Sequence, residues 1–289
     1  MLTCQLMGGL GNQLFQIFAT ISYAIKSKNA FAFQNIEKLI FSNSTIRETF
    51  WTTFLSKLKF CLIKEFPEDI ILLKETGFMF NEIDNNQLMN KNTCLFGYYQ
   101  SYKYFEEYYD TICDLINLDF QKKEVIIKSG LTEEYLNNTI SMHFRLGDYK
   151  KLPNHHPILT YKYYKKCLQF FETIKNISSE LKMLTILNVL YFCEDEDVED
   201  VIITINKLEK KFPNYNFIRA SNLLKDYEQM ILMSCCANNI IANSSFSWWG
   251  AYFNSNPQKV VCYPNIWFGP ACNHNTSDLF PLSWYKIIF

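Results

Sequence analysis

Directly after the apolar triplet Ile240-Ile241-Ala242, the chain runs Asn243-Ser244-Ser245-Phe246-Ser247 into Trp248-Trp249-Gly250. Hydroxyls and successive backbone N–H groups, placed where a buried parallel strand gives way to a helix, can donate to phosphate oxygens without a metal or a lysine. The same residues also describe a capped helix whose tryptophans belong to the core. A second cluster, His143-Phe144-Arg145-Leu146-Gly147-Asp148-Tyr149, ends another apolar run. Alternation along a strand puts His143 and Arg145 on one side. A guanidinium there forks onto a diphosphate and offsets the charge that grows as a bond to that diphosphate breaks. Asp148 can fix the guanidinium's orientation. A strand-end Arg/Asp salt bridge beside a core histidine accounts for the same pattern.

Three further stretches carry weaker signals. Gly8-Gly9-Leu10-Gly11-Asn12-Gln13 has the small residues that let a ligand approach the backbone, with Gly9, Gly11, Asn12 and Gln13 as candidate contacts. It lacks the spacing of a dinucleotide fingerprint and any Gly-Lys-Ser/Thr, so neither a nicotinamide site nor a P-loop is supported. Glu194-Asp195-Glu196-Asp197 opens a helix, where carboxylates complement the dipole; Glu194 and Asp195 are also candidates to accept hydrogen bonds from a base or ribose. His155-His156-Pro157 reads as a polar loop.

Positioning these clusters requires strands that end beside them. A strand over Leu2 to Met7, the glycine turn and a helix carrying Leu14, Phe15, Phe18, Ile21 and Ile25 open the chain. A helical segment is expected over Tyr102 to Leu118. From residue 139 the rhythm is regular. Strands are expected over Ile140 to Phe144, Val189 to Cys193, Asn216 to Ile218, Ile240 to Ala242 and Val260 to Tyr263. Helices are expected over Tyr161 to Lys175, Val198 to Lys211, Leu224 to Cys236 and from Ser247. Alternation of this kind implies a parallel sheet with right-handed crossovers, whose ligands bind beyond the carboxyl ends of its strands.

At 289 residues, with 48% hydrophobic and 17% aromatic side chains, the chain can bury two cores. We divide it into a lobe over 1–135 and a lobe over 136–289. A net charge of −1 gives no general attraction to nucleic acid or anionic membrane, so phosphate recognition must be local. No signal peptide or membrane span is expected, which points to a cytoplasmic protein. The ten cysteines show no zinc spacing, and no metal is expected. Sequons at Asn43, Asn137, Asn176, Asn243 and Asn275 are attributed to asparagine-rich composition. Homo-oligomerisation is left open.

Taken in order, Gly8 to Gln16, Gly97-Tyr98-Tyr99-Gln100-Ser101, His143 to Tyr149, Asn243 to Gly250 and Pro281-Leu282-Ser283-Trp284 resemble the alpha-1,2-fucosyltransferase family, glycosyltransferase family 11. The resemblance runs almost end to end. It implies an α/β, GT-B-like fold of two Rossmann-like lobes with parallel sheets and an interlobe cleft. The N-terminal lobe would serve the acceptor and the C-terminal lobe the nucleotide sugar. It implies a galactoside 2-alpha-L-fucosyltransferase-like enzyme: inverting, metal-independent transfer of L-fucose from GDP-fucose to a glycan acceptor, without cofactor. Arg145 would be the main diphosphate partner, Ser244, Ser245, Phe246 and Ser247 would line the donor pocket, and Asn12 and Gln13 would reach it from the first lobe. The base is unassigned, with Asp148 and His143 as candidates. The family pattern is His-x-Arg-Arg-x-Asp; here Leu146 replaces the second arginine. That substitution leaves open another nucleotide-activated deoxysugar such as rhamnose, and a non-catalytic sugar-nucleotide-binding protein is the rival of a different class.

Overall fold

Apolar residues recurring at helical spacing or in short continuous runs must bury their faces, and they do so here in two compact units. The computed structural model describes residues 1–40, 46–177 and 187–289, except for the side chains of residues 175–177 and 187. The sequon at Asn43 lies outside the described residues. The first unit comprises residues 1–121 with 274–281, the second residues 122–273 with 282–289.

In the first unit β1 (Leu2–Cys4) leads through the glycine loop into α1 (Leu10–Lys26). Short strands β2 (Phe33–Gln34), β3 (Lys38–Ile40), β4 (Ile46–Glu48) and β5 (Leu62–Ile63) follow, then β6 (Ile71–Lys74), α2 (Asn85–Leu88), β7 (Thr93–Phe96) and α3 (Tyr109–Leu115). A parallel sheet runs β1-β7-β6, with Leu2 opposite Thr93 and Ile71 opposite the same residue. Leu14, Phe15, Ile17 and Phe18 of α1 are fully buried, which is why that helix was legible. The expected helix over Tyr102 to Leu118 is broken. Two 3₁₀ turns, Tyr102–Tyr104 and Glu106–Tyr108, precede α3. Between them Phe105 takes φ −140°, which turns its ring into the core against Phe15 and Phe18.

α4 (Leu118–Ser129) carries the chain to the second unit, where α5 (Glu133–Leu136) precedes a regular alternation. It runs β8 (Thr139–His143), α6 (Tyr161–Ile177), β9 (Leu187–Phe192), α7 (Val198–Lys211), β10 (Tyr215–Arg219), α8 (Asp226–Cys235), β11 (Asn238–Ile240), α9 (Ser245–Tyr252), β12 (Val261–Pro264) and β13 (Tyr285–Ile287). Every pairing in this six-stranded sheet is parallel, in the order β10-β9-β8-β11-β12-β13. Numbered from β8, that is 3-2-1-4-5-6, the doubly wound order, with its reversal between β8 and β11. The α/β class with parallel sheets agrees with the sequence.

Boundaries shifted by one to three residues, and the strand expected over Leu2 to Met7 ends at Cys4. The strand expected over Ile240 to Ala242 is Asn238–Ile240, because Asn239 and Ile240 lie opposite Ser141 and Met142, whereas Ile241 and Ala242 already lead into the turn. The helix expected from Ser247 begins at Ser245, one residue after an N-cap serine whose hydroxyl accepts from the Phe246 N–H at 3.3 Å. β13 was missed because Tyr285 and Lys286 are exposed and break the apolar run.

The sheet's core is continuous, with Ile140, Met142, Val189, Ile240 and Cys262 buried against Tyr163, Tyr164, Leu168, Ile205 and Leu208. Among the described residues no helix is long and apolar enough to cross a membrane. Trp248 is fully buried in α9; its ring stacks on Tyr252 at 4.6 Å and tilts against Trp284 at 5.4 Å. Trp248→Ala is expected to cost about 3–5 kcal/mol, measured as a lowered urea midpoint, and Trp248→Phe a smaller part of that loss.

Candidate active site

Arg145 and the serine turn leave adjacent strands on the same carboxyl edge, at the reversal of strand order, where doubly wound sheets open a crevice. Helix α6 braces those strand ends. The Tyr163 hydroxyl donates to the Ile241 carbonyl at 2.6 Å, and the Tyr164 hydroxyl to the His143 carbonyl at 3.1 Å. Both hydroxyls are deeply buried, so burial holds them far above the usual phenol range and they serve as neutral donors.

Arg145 sits two residues beyond β8, mostly buried, and its guanidinium is gripped from two sides. Nη2 donates to Asp148 at 2.7 Å and Nη1 to Glu194. Its plane lies over the Tyr149 ring, 5.3 Å from the ring centre, and His156 stacks on the other part of that wall at 4.6 Å from Tyr149. Burial alone would lower the arginine's affinity for its proton; the Glu194 and Asp148 charges more than offset this, and the net shift is upward. Burial raises the Glu194 carboxyl, against the opposing pull of Arg145. The Tyr149 phenol is pushed up to about 12, chiefly by burial.

Two contacts tie this group to the serine turn. The Tyr149 hydroxyl donates to the Asn243 carbonyl at 3.0 Å, and the His143 ring lies 5.5 Å from that of Phe246. Asn243 is buried, and its amide donates to the carbonyls of Pro157 and Trp267, so its sequon offers no room for a glycan. The Ser247 hydroxyl is also buried, accepting from the Ala242 N–H at 3.2 Å, which makes it an internal brace of the turn. Ser245 and Phe246 are half-buried at the first turn of α9 and stand nearest to solvent in this segment.

His143 is fully enclosed. Burial, with a smaller contribution from Arg145, lowers it to about 3, and its Nδ1 has no hydrogen-bond partner among the described residues. The acidic run from Glu194 divides its tasks. Glu194 meets Arg145, Asp195 turns away to Arg219 and Asn222, and Asp197 is buried under the loop that follows Arg145. Asp197, which sequence reasoning left within a capping cluster, thus belongs to the site's framework; its acidity alone carried no signal of that.

In the first unit Gly8 takes φ +75°, and its missing side chain makes room for the Asn12 amide. Asn12 Oδ1 accepts from the Gln100 amide at 2.9 Å, which links two of the motif segments read from the sequence. Gly9 is half-buried and Gly11 buried at the start of α1. Gln13 has no exposed surface, and its Nε2 donates to the carbonyls of Gly8 at 3.0 Å and Glu48 at 2.9 Å, so it holds the loop from within. Among the described residues, no group of three or more His, Cys, Asp or Glu side chains is arranged to hold a metal ion.

The sequence over residues 1–287 matches the model of Glycosyl transferase family 11. Among characterised proteins, the chain is 28% identical to the O-antigen biosynthesis glycosyltransferase WbnK of Escherichia coli, over 98% of this chain and 99% of that protein. It is 25% identical to the alpha-1,2-colitosyltransferase of Escherichia coli, over 98% and 97%. Among solved structures it is similar to a mutant Arabidopsis thaliana FUT1 in complex with GDP, at 10% identity and a TM-score of 0.44, over 88% of this chain and 68% of that one. With its family pattern matched from the first strand to the last, this chain belongs to glycosyltransferase family 11 and is a sugar transferase.

Proposed function

We propose that the protein is an inverting transferase that moves L-fucose from GDP-fucose to a glycan hydroxyl in alpha-1,2 linkage. In this reading the second unit binds the nucleotide sugar and the first serves the acceptor. The observation that carries it is the convergence of Arg145 with the turn opening α9 at the strand reversal. An acceptor hydroxyl attacks the anomeric carbon, its proton passes to a base, and the bond to the diphosphate oxygen breaks. Negative charge grows on the leaving diphosphate, where the guanidinium and the first-turn N–H groups of α9 offset it more strongly in the transition state than in the bound donor. A diphosphate that reaches Arg145 exchanges with at least one of its present carboxylate partners, Glu194 or Asp148. No metal or further cofactor has a part in this scheme.

Of the two candidates for the base, His143 is the poorer one. An imidazole lowered to about 3 is a weak proton acceptor at neutral pH, and it is sealed beneath Phe246. Asp148 is half-exposed and bonded to Arg145, so it orients the guanidinium whether or not it also takes the proton. A second donor is favoured by one observation: a relative that matches nearly end to end is named a colitosyltransferase, and colitose is itself a deoxysugar.

Incubation with GDP-fucose, GDP-colitose or dTDP-rhamnose beside a panel of glycan acceptors, read by mass spectrometry, is expected to show consumption of GDP-fucose, release of GDP and a fucosylated acceptor. Consumption of another donor alone would remove fucose and leave the transferase standing; binding without any turnover would favour the non-catalytic rival. Arg145→Ala is expected to lower turnover about a hundred-fold or more with the circular dichroism spectrum unchanged, and wild-type turnover in that variant would overturn the mechanism.

His143 also makes a testable contribution to stability. Its proton affinity in the fold lies below that of an ordinary histidine, so the unfolded chain binds more protons between pH 6.5 and about 3. Stability is therefore intact above that window and is lost as pH falls through it, by up to about 1.4 kcal/mol per pH unit. Equilibrium unfolding of His143→Gln across this range is expected to show a shallower acid limb than the parent protein.

A further inference from the structure

Arg145 stands outside the strand ladder, so its aim depends on the loop that follows. The last ladder bond on this segment runs from the Phe144 N–H to the Phe192 carbonyl at 2.8 Å. Beyond it the chain turns through a 3₁₀ segment, Gly147–Lys151, in which no residue is buried. Of the bonds that hold that turn, three go to Asp197 and Asn243. The Gly147 N–H donates to Asp197 Oδ2 at 2.6 Å, the Lys150 ammonium donates to Asp197 Oδ1 at 2.7 Å, and the Tyr149 hydroxyl donates to the Asn243 carbonyl. Two of the three converge on one carboxylate, which is 2% exposed and uses both oxygens. Lys150 also meets Asp200, a half-exposed residue, at 2.7 Å. Gly147 takes φ +30°, and the Glu194 carboxylate occupies the place where a side chain would stand. The backbone of Gly147 is thus fixed by Asp197 while Glu194 lies over it and grips Arg145.

We infer that Asp197 is a positioning residue for Arg145: through Gly147 and Lys150 it sets where the guanidinium meets the leaving diphosphate. A buried carboxylate that neutralises one ammonium and accepts one backbone N–H is costly to remove from either side, so the loop has one preferred geometry. The inference rests on the role assigned to Arg145 above.

The test uses the full chain, with GDP as the calorimetric probe and GDP-fucose as the turnover substrate. Asp197→Ala is expected to weaken GDP binding and lower kcat/KM by about ten-fold each, with Asp197→Asn between it and the parent because the amide oxygen still accepts from Gly147. Lys150→Met alters a half-exposed side chain and keeps the fold; a loss of about three-fold is expected. Asp200→Asn is expected to stay within about two-fold of the parent. In an Arg145→Ala background, Asp197→Ala is expected to add nothing, since a group acting through Arg145 has nothing left to position. Parent affinity and turnover in folded Asp197→Asn and Lys150→Met proteins would overturn the inference, as would a full additional loss on top of Arg145→Ala. If Arg145→Ala itself binds GDP and turns over normally, the functional reading fails; if it is impaired while the Asp197 and Lys150 variants are normal, only this inference fails.

Discussion

The second unit is organised around one guanidinium that must be held out of the strand ladder yet kept from wandering. Arg145 answers to Glu194 from the end of β9, to Asp148 from its own loop and to the Tyr149 ring beneath it. The loop that carries Asp148 and Tyr149 is in turn fixed from two parts of the second unit: Tyr149 by the Asn243 carbonyl after β11, and the Gly147 backbone by Asp197 before α7. An arginine side chain has enough rotamer freedom that an unsupported one costs about 2 kcal/mol to order. The surrounding contacts meet that cost at folding, so in the proposed mechanism it does not recur when a diphosphate binds. The strand order makes this possible, because β8 lies between β9 and β11 and parallel pairing brings the carboxyl ends of all three to one edge.

Much of this was legible in the chain. Parallel strands buried on both faces read as short apolar runs, and β8 is buried at all five of its positions, so its existence and its end beside Arg145 followed from the sequence. The helices α6 and α7 declared themselves by apolar spacing. The order of the strands did not, since apolar runs that pair in parallel carry no mark of which neighbour they will choose. Nor did the break at Phe105, where an aromatic side chain gained more from burial against Phe15 and Phe18 than the helix gained from one more turn. The division of labour among Glu194, Asp195 and Asp197 was illegible for a related reason. Four consecutive acids look alike in sequence, and only the fold separates an arginine partner from a buried loop anchor.

The glycine loop of the first unit shows how a motif mixes contact and support. Gln13 and Gln16 both lie in the segment that carries the family resemblance, and both are buried. Gln16 accepts from the Met7 N–H and donates to the Gly97 carbonyl, while Gln13 donates to Gly8 and Glu48. Their amides therefore tie the glycine loop to the turn at Gly97 and to β4. A turn rich in glycine has little side-chain packing of its own, so its shape is set by such amide bonds. Asn12, half-buried and bonded to Gln100, keeps a surface, as do Gly8 and Gly9.

By the sequence resemblance Leu146 stands where the family pattern has a second arginine, and its surroundings are apolar. The leucine packs, partly buried, against the core of the sheet, as do Tyr161 and Val198. An arginine at this position would bury its stem on the same apolar surface and carry its charge to the rim. In this chain the apolar contact is kept and the charge is absent, so in the proposed mechanism the charge developing on a leaving group falls to Arg145 and to the N–H groups that open α9. Glu194 and Asp148 then matter more than they would beside two cations. They hold Arg145 in one orientation, and in the proposed mechanism they compete with an incoming anion for the same N–H groups.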